Sequence, residues 1–234
     1  TIVDVVGPPG FVDGIYTPPE GENGNVTISY SVVNTCRLRA SGTVTIDVNQ
    51  EPVGASKSIN VFRGEPVVVL VTDLASDAEA LTITALSGAP AWVTQEPSRL
   101  VIGPALGATL GTSSFSVTVA DPGGLTTVVN VSVTIVNRPP VANGDTVDVR
   151  DGQKRTVDLV SNDTDADSGG ELVIAELLPT TLSFSGGGSG TVTLVPSGEV
   201  TVALSDARGV ATFTYRVRDV DGGVSAPATV TVNG

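Results

Sequence analysis

The stretch Phe213, Thr214, Tyr215, Arg216, Val217, Arg218, Asp219, Val220, Asp221, Gly222, Gly223 decides the fold. Phe213, Tyr215 and Val217 occupy every second position, and acidic and glycine residues then take over. Alternation with a period of two is a strand with one buried face, and the acid-plus-glycine run is a tight turn. The pattern occurs earlier as Phe115, Val117, Val119, Asp121, Gly123, Gly124, and in weaker form as Ile28, Tyr30, Val32, Asn34. Each copy is followed by a second alternating run, at Thr43 to Val48, Val128 to Ile135 and Ala228 to Val232. The chain is therefore a repeat protein built from strand-rich units.

Composition agrees. Hydrophobic residues are 40% of the 234, enough to fill cores, but aromatics are only 4%, so the cores must rest on Val, Ile, Leu and Ala. β-Branched residues punctuated by Gly and Pro, with no long amphipathic helical stretch, specify an all-β fold. The formal net charge of −13 repels phosphate backbones, which argues against a nucleic-acid partner. No run of about 20 apolar residues is present to insert into a membrane. Histidine is absent, which removes the usual general base and metal ligand. Methionine is absent too, so Thr1 is expected to be internal to a longer polypeptide. The single cysteine, Cys36, excludes an intrachain disulfide and reads as a small residue beside a turn, with an intermolecular bridge as the alternative.

Val48 and Asn49 recur as Val136 and Asn137, each followed by a proline-bearing linker. Three units follow: residues 1–50, the back part of a first repeat that is incomplete, small or completed by another chain; residues 51–138; and residues 139–234. Proline shortens and stiffens the linkers, so the domains are expected end to end. In the third unit, strands are expected at Thr146 to Val149, Thr156 to Val160, Leu172 to Leu178, Thr191 to Val195 and Glu199 to Leu204, ahead of the Phe213 strand and the last one. That many turn-spaced strands in one unit predict a β-sandwich. The second unit is expected to run in parallel, with strands at Lys57 to Val61, Val67 to Val71 and Leu81 to Leu86.

Asn162, Asp163, Thr164, Asp165, Ala166, Asp167, the strand from Leu172, and Phe213, Tyr215, Val217, Asp219 before Gly222 and Gly223 resemble the tandem cadherin-like, immunoglobulin-like repeats of large bacterial surface proteins. Ala89, Pro90, Ala91, Trp92, Val93 with Gly103 and Pro104 are similar to dystroglycan-type cadherin-like or Ig-type repeats. The resemblance implies secreted or wall-attached proteins in which such repeats space a tip from the cell. It implies a non-catalytic stalk, with an adhesive module for a protein or glycan ligand as the alternative.

Alternate carboxylates in a loop suit a hard cation, because Ca²⁺ takes six to eight oxygens. The candidate calcium ligands are Asp163, Asp165, Asp167, Asp219 and Asp221, with a thinner set at Asp73, Asp77, Glu79 and Asp121. The competing view is that these residues cap their own turns. Trp92 is a candidate sugar platform or a core edge. Lys57 with Asn130 or Asn137, and Lys154 with Asn233, permit the intramolecular amide bond of some Gram-positive surface domains. No buried acidic partner for it is identifiable. With neither histidine nor a nucleophile–base set, no catalytic residue is assigned.

Overall fold

The computed structural model describes all residues except Gly21, Asn23, Ser168 and Gly169, which fall in the expected turn at 21–24 and the acidic loop at 161–170. Apart from two single-turn 3₁₀ segments, Val71–Asp73 and Val160–Asn162, the regular structure is strand. Two compact units result. One comprises residues 1–59, 67–102 and 112–133; the other comprises residues 60–66, 103–111 and 134–234.

The second unit contains a complete β-sandwich. One sheet runs Asp145–Asp148, Ala228–Asn233, Val210–Arg218, Val173–Leu178; the other runs Lys154–Val157, Val200–Ser205, Ser189–Leu194, Thr181–Ser183. Asp145–Asp148 pairs parallel to Ala228–Asn233, whereas the Val210–Arg218 strand is antiparallel to both of its neighbours. The expected alternation holds: Phe213, Tyr215 and Val217 are at most 1% exposed. They meet Val192, Val200 and Val202 of the opposite sheet, with Val147, Leu159, Val230 and Val232, in one core.

Two features of this sandwich differ from the sequence expectation. The second strand is Lys154–Val157, and the chain beyond it turns into the 3₁₀ segment instead of continuing to Val160. The strand Thr181–Ser183 is additional, and it delivers Leu182 and, just past its end, Phe184 to the core.

Residues 53–136 supply the sheet Thr82–Ser87, Gly111–Ala120, Thr126–Val136, Lys57–Phe62 and the sheet Val93–Glu96, Arg99–Ile102, Val67–Leu70. Phe115, Val117, Val119, Val129, Val131, Val133 and Leu100 are buried, again at alternate positions along the long strands. The hairpin Val93–Glu96 with Arg99–Ile102 was not among the expected strands; its Val93, Leu100 and Ile102 are core residues.

Residues 1–50 form the sheet Ile2–Val6, Gly24–Val33, Arg39–Val48, with a small hairpin of Phe11–Val12 and Ile15–Tyr16. Among the described residues of this segment only Val26, Ile28 and Val48 are buried hydrophobics, and the whole Ile2–Val6 strand is exposed. Cys36 is exposed in the turn, where Asn34 Oδ1 accepts the Cys36 and Leu38 amides at 2.9 and 3.0 Å.

Candidate functional site: the linker clamp and acidic loop

The five candidate ligands lie in the second compact unit and take four different roles. Asp219 terminates the Val210–Arg218 strand and is 4% exposed. Its Oδ1 accepts the amides of Asp221 and Gly223 at 2.9 and 2.8 Å, which closes the turn. Its Oδ2 accepts Nδ2 of Asn137 at 2.8 Å, which ties the linker asparagine to that turn. A Cβ on Gly223 would stand 2.4 Å from Asn137 Nδ2, so glycine is what admits the amide.

The arrangement occurs twice. In the other compact unit, Asn49 Nδ2 donates to Asp121 Oδ2 at 2.9 Å, and Asp121 Oδ1 accepts Leu125 N at 2.9 Å. A Cβ on Gly123 would lie 2.0 Å from Asn49 Nδ2. Asparagine just past a long strand, then aspartate and glycine in a turn 72 or 82 residues further on, is thus a repeated clamp. It accounts for the Val-Asn recurrence. Sequence reasoning saw both partners but not the pairing, because 72 and 82 residues separate them.

Asp167 is 1% exposed, and its Oδ2 accepts the Arg138 amide at 2.8 Å. The Arg138 side chain stacks on Phe62, 4.3 Å from its ring centroid, and donates to Glu65 at 2.6 Å. That hydrogen bond holds the Glu65 carboxyl below its usual range. Asp165 Oδ1 accepts the Asp167 amide at 3.2 Å. Burial first, and then Asp165, push the Asp167 carboxyl up, while its bond from the Arg138 amide pulls it down.

Asp221 pairs with Arg63, 2.5 Å from Nη1 and 3.4 Å from Nη2. The two side chains are 9% and 21% exposed, so this pair is far drier than a surface bridge. Arg63 Nε also donates to Ala108 O at 2.6 Å, which fixes the plane of the guanidinium. Nothing in the local sequence marks Arg63: a lone arginine before Gly64 reads as turn.

Asp163 faces the core. Its Oδ1 accepts the Asn143 amide at 2.7 Å and the Tyr215 hydroxyl at 2.9 Å. That hydroxyl also lies 2.7 Å from Asn143 O, 3.0 Å from Leu159 O and 3.2 Å from Asp145 Oδ2. Burial pushes both Asp163 and Asp145 up, and the tyrosine bond pulls both down. Burial together with the facing carboxylates raises the phenol.

Four buried oxygens around this end have no hydrogen-bond partner: Asn137 Oδ1, Asp163 Oδ2, Asp165 Oδ2 and Asp167 Oδ1. They are the atoms a cation could use. Ca²⁺ requires six to eight oxygens, so water would have to complete the shell. Among the described residues, no group of three or more acidic, histidine or cysteine side chains is arranged to hold a metal by itself.

The profile of the bacterial cadherin-like domain matches residues 137–234, and that of the bacterial Ig domain matches residues 49–134. The chain is a tandem of bacterial Ig-like and cadherin-like repeats. No curated protein matches its sequence. Similar solved structures include an endo-fucoidan hydrolase of glycoside hydrolase family 107, at 17% identity and a TM-score of 0.30 over 99% of this chain and 38% of that one. They also include the extracellular domain of protocadherin gammaB4, at 19% identity and a TM-score of 0.34 over 95% of this chain and 41% of that one. A third is the human desmocollin-1 ectodomain, at 12% identity and a TM-score of 0.31 over 89% of this chain and 47% of that one. The chain spans under half the length of each.

In the Ig-like repeat the thinner acidic set is spread over turns. Asp73 Oδ2 accepts the Leu70 amide at 3.1 Å, Asp77 Oδ1 accepts the Ala78 amide at 2.6 Å, Glu79 is half-buried, and Asp121 belongs to the clamp. Trp92 is half-buried just before the strand Val93–Glu96. In the cadherin-like repeat, Lys154 and Asn233 stand in different sheets, and the Asn233 amide is given to Asp148 at 2.7 Å. No helix among the described residues is long and apolar enough to cross a membrane. Repeats of these two kinds are typical of bacterial surface and extracellular proteins.

Proposed function

We propose that the segment is a non-catalytic stalk or spacer in a large extracellular bacterial protein. In this account residues 1–50 are the rear of one repeat, 51–138 a second and 139–234 a third. The carrying observation is the clamp that recurs at Asn49–Asp121 and Asn137–Asp219. A spacer needs each linker fastened to the fold, and the same three residue types fasten both. Fold alone does not set function, but among the described residues no nucleophile and base converge on the strand faces or end loops. A broad surface groove of about 450 Å³, lined by Asp158, Ser161, Glu171 and Glu199 among others, offers neither histidine nor an aromatic platform.

Calcium belongs to this proposal as a weak ligand of the acidic loop, using the open oxygens of Asn137, Asp165 and Asp167, with Asp163 beside them. Asp219 and Asp221 then serve as supports for the linker and for Arg63. The spacer reading is tested by applying the purified chain, with calcium, to a glycan array and to cells. No saturable binding is expected, and saturable binding of either kind would replace the spacer with the adhesive alternative.

A further inference from the structure

We infer that the sheet Ile2–Val6, Gly24–Val33, Arg39–Val48 pairs with itself: the apolar face of this sheet in a second copy of the chain packs on it as its second layer. The pairing is independent of the spacer reading, which stands or falls in the glycan and cell assays.

Register divides this sheet into an apolar and a polar face. Ile2 stands opposite Val32, Val5 opposite Tyr30 and Val44 opposite Ile28, so these side chains share one face. The charged residues of the three strands are Asp4, Arg39 and Asp47. Their partners Ser31, Val33 and Asn25 put all three on the other face, where Arg39 donates to Asp4 at 2.7 Å. An antiparallel sheet of this kind is stable when its apolar face is covered. Here the cover is partial. Val26 and Ile28 are buried, but Ile2, Val5 and Val44 are 61%, 46% and 48% exposed.

The repeat pattern says what kind of element fits. Ile28, Tyr30 and Val32 hold the alternating positions that Phe213, Tyr215 and Val217 hold in the cadherin-like repeat, where an opposing sheet buries them. A second copy supplies such a sheet. Its face is uncharged, so two chains of net charge −13 meet there without opposing their carboxylates. Two sheets of the same twist pack face to face, and a two-fold axis makes one patch its own complement. The face is also level: a Cβ on Gly42 would stand 2.7 Å from Tyr30, so the ring lies across that glycine. Strands of 5, 10 and 10 residues, at about 3.3 Å per residue and about 4.8 Å apart, present about 400 Å² per copy. Roughly 800 Å² in all belongs to weak, reversible pairs, with a dissociation constant on the order of 10–100 µM. Chains held side by side on one surface reach effective concentrations of about a millimolar, at which such a pair is populated.

Sedimentation equilibrium of the whole chain, from about 5 to about 500 µM, tests this. A reversible monomer–dimer equilibrium is expected, and added salt is expected to hold or tighten it, because screening relieves the repulsion between two acidic chains. Val44→Asp puts a carboxylate into the apolar face, and the two-fold axis doubles it, so the dimer is expected to weaken at least about 30-fold. Thr45→Asp adds the same charge one residue on, to the opposite face, and is expected to stay within about threefold of native. Should Val44→Asp alter the circular dichroism, Val5→Asp repeats the test at a second exposed position of the face. The inference is overturned by a native chain that is monomeric at the highest concentration, by a dimer that salt dissolves, or by a dimer indifferent to Val44→Asp or Val5→Asp. Equal weakening by Thr45→Asp would also overturn it, since strand edges and not faces would then be meeting.

Discussion

Phe213→Ala is expected to destabilise the cadherin-like repeat by about 3–5 kcal/mol, which lowers its melting transition by more than about 10 °C. Phe213 is 1% exposed, on the strand between Ala228–Asn233 and Val173–Leu178. Its ring belongs to the core that both sheets share. With aromatics at 4% of the chain, neighbouring Val and Ala side chains are too short to close over the void. The residual cavity therefore adds to the lost transfer free energy. Urea unfolding followed through the near-ultraviolet signal of Tyr215 measures the effect. A loss under about 1 kcal/mol would mean that the repeat has no such core.

Tyr215→Phe is expected to cost about 1–3 kcal/mol at neutral pH, less at pH 5. The phenol has one hydrogen to give and can accept others, yet four oxygens surround it, two of them carboxylate. Burial raises Asp145 and Asp163 in the folded state, so the fold favours their protonated forms. Stability from such raised groups is fully present below the unfolded aspartate pKa of about 3.9 and is lost as pH rises through the higher folded values. Mild acidification from neutrality should therefore raise the melting temperature of the native repeat. Without the hydroxyl, both carboxyls lose the bond that pulls them down and rise further, so the penalty of the variant grows with pH. Equal penalties at pH 5 and pH 7 would show that the phenol does not couple to these carboxylates.

Much of the fold was legible because its signals are local. Phe213, Tyr215 and Val217 alternate with polar residues, and Phe115, Val117 and Val119 repeat the pattern; all six proved to be buried. Thr181–Ser183 was not legible, because three residues between Pro179 and a glycine-rich turn show no period. Val93–Glu96 carries polar residues at three of its four positions, which hides a core hairpin. At the acidic end, the sequence offered five aspartates for one role. The structure divides them among a clamp, an ion pair, a tyrosine acceptor and a pair of amide acceptors, since their partners Asn137, Arg63 and Tyr215 are 82, 158 and 52 residues away. Long-range pairing leaves no mark on spacing, and a single arginine in a turn carries no pattern at all.

Buried carboxylates fasten the linker before the cadherin-like repeat. Amide hydrogen exchange at Arg138 tests it most directly, because this N–H donates to Asp167 at 2.8 Å and is followed by two prolines, which have no amide to exchange. Arg138 is expected to exchange as slowly as the core amide of Val217, and Asp167→Ala, which leaves no side-chain acceptor, is expected to release it. Exchange of the native Arg138 amide at the rate of an unprotected chain would contradict the account.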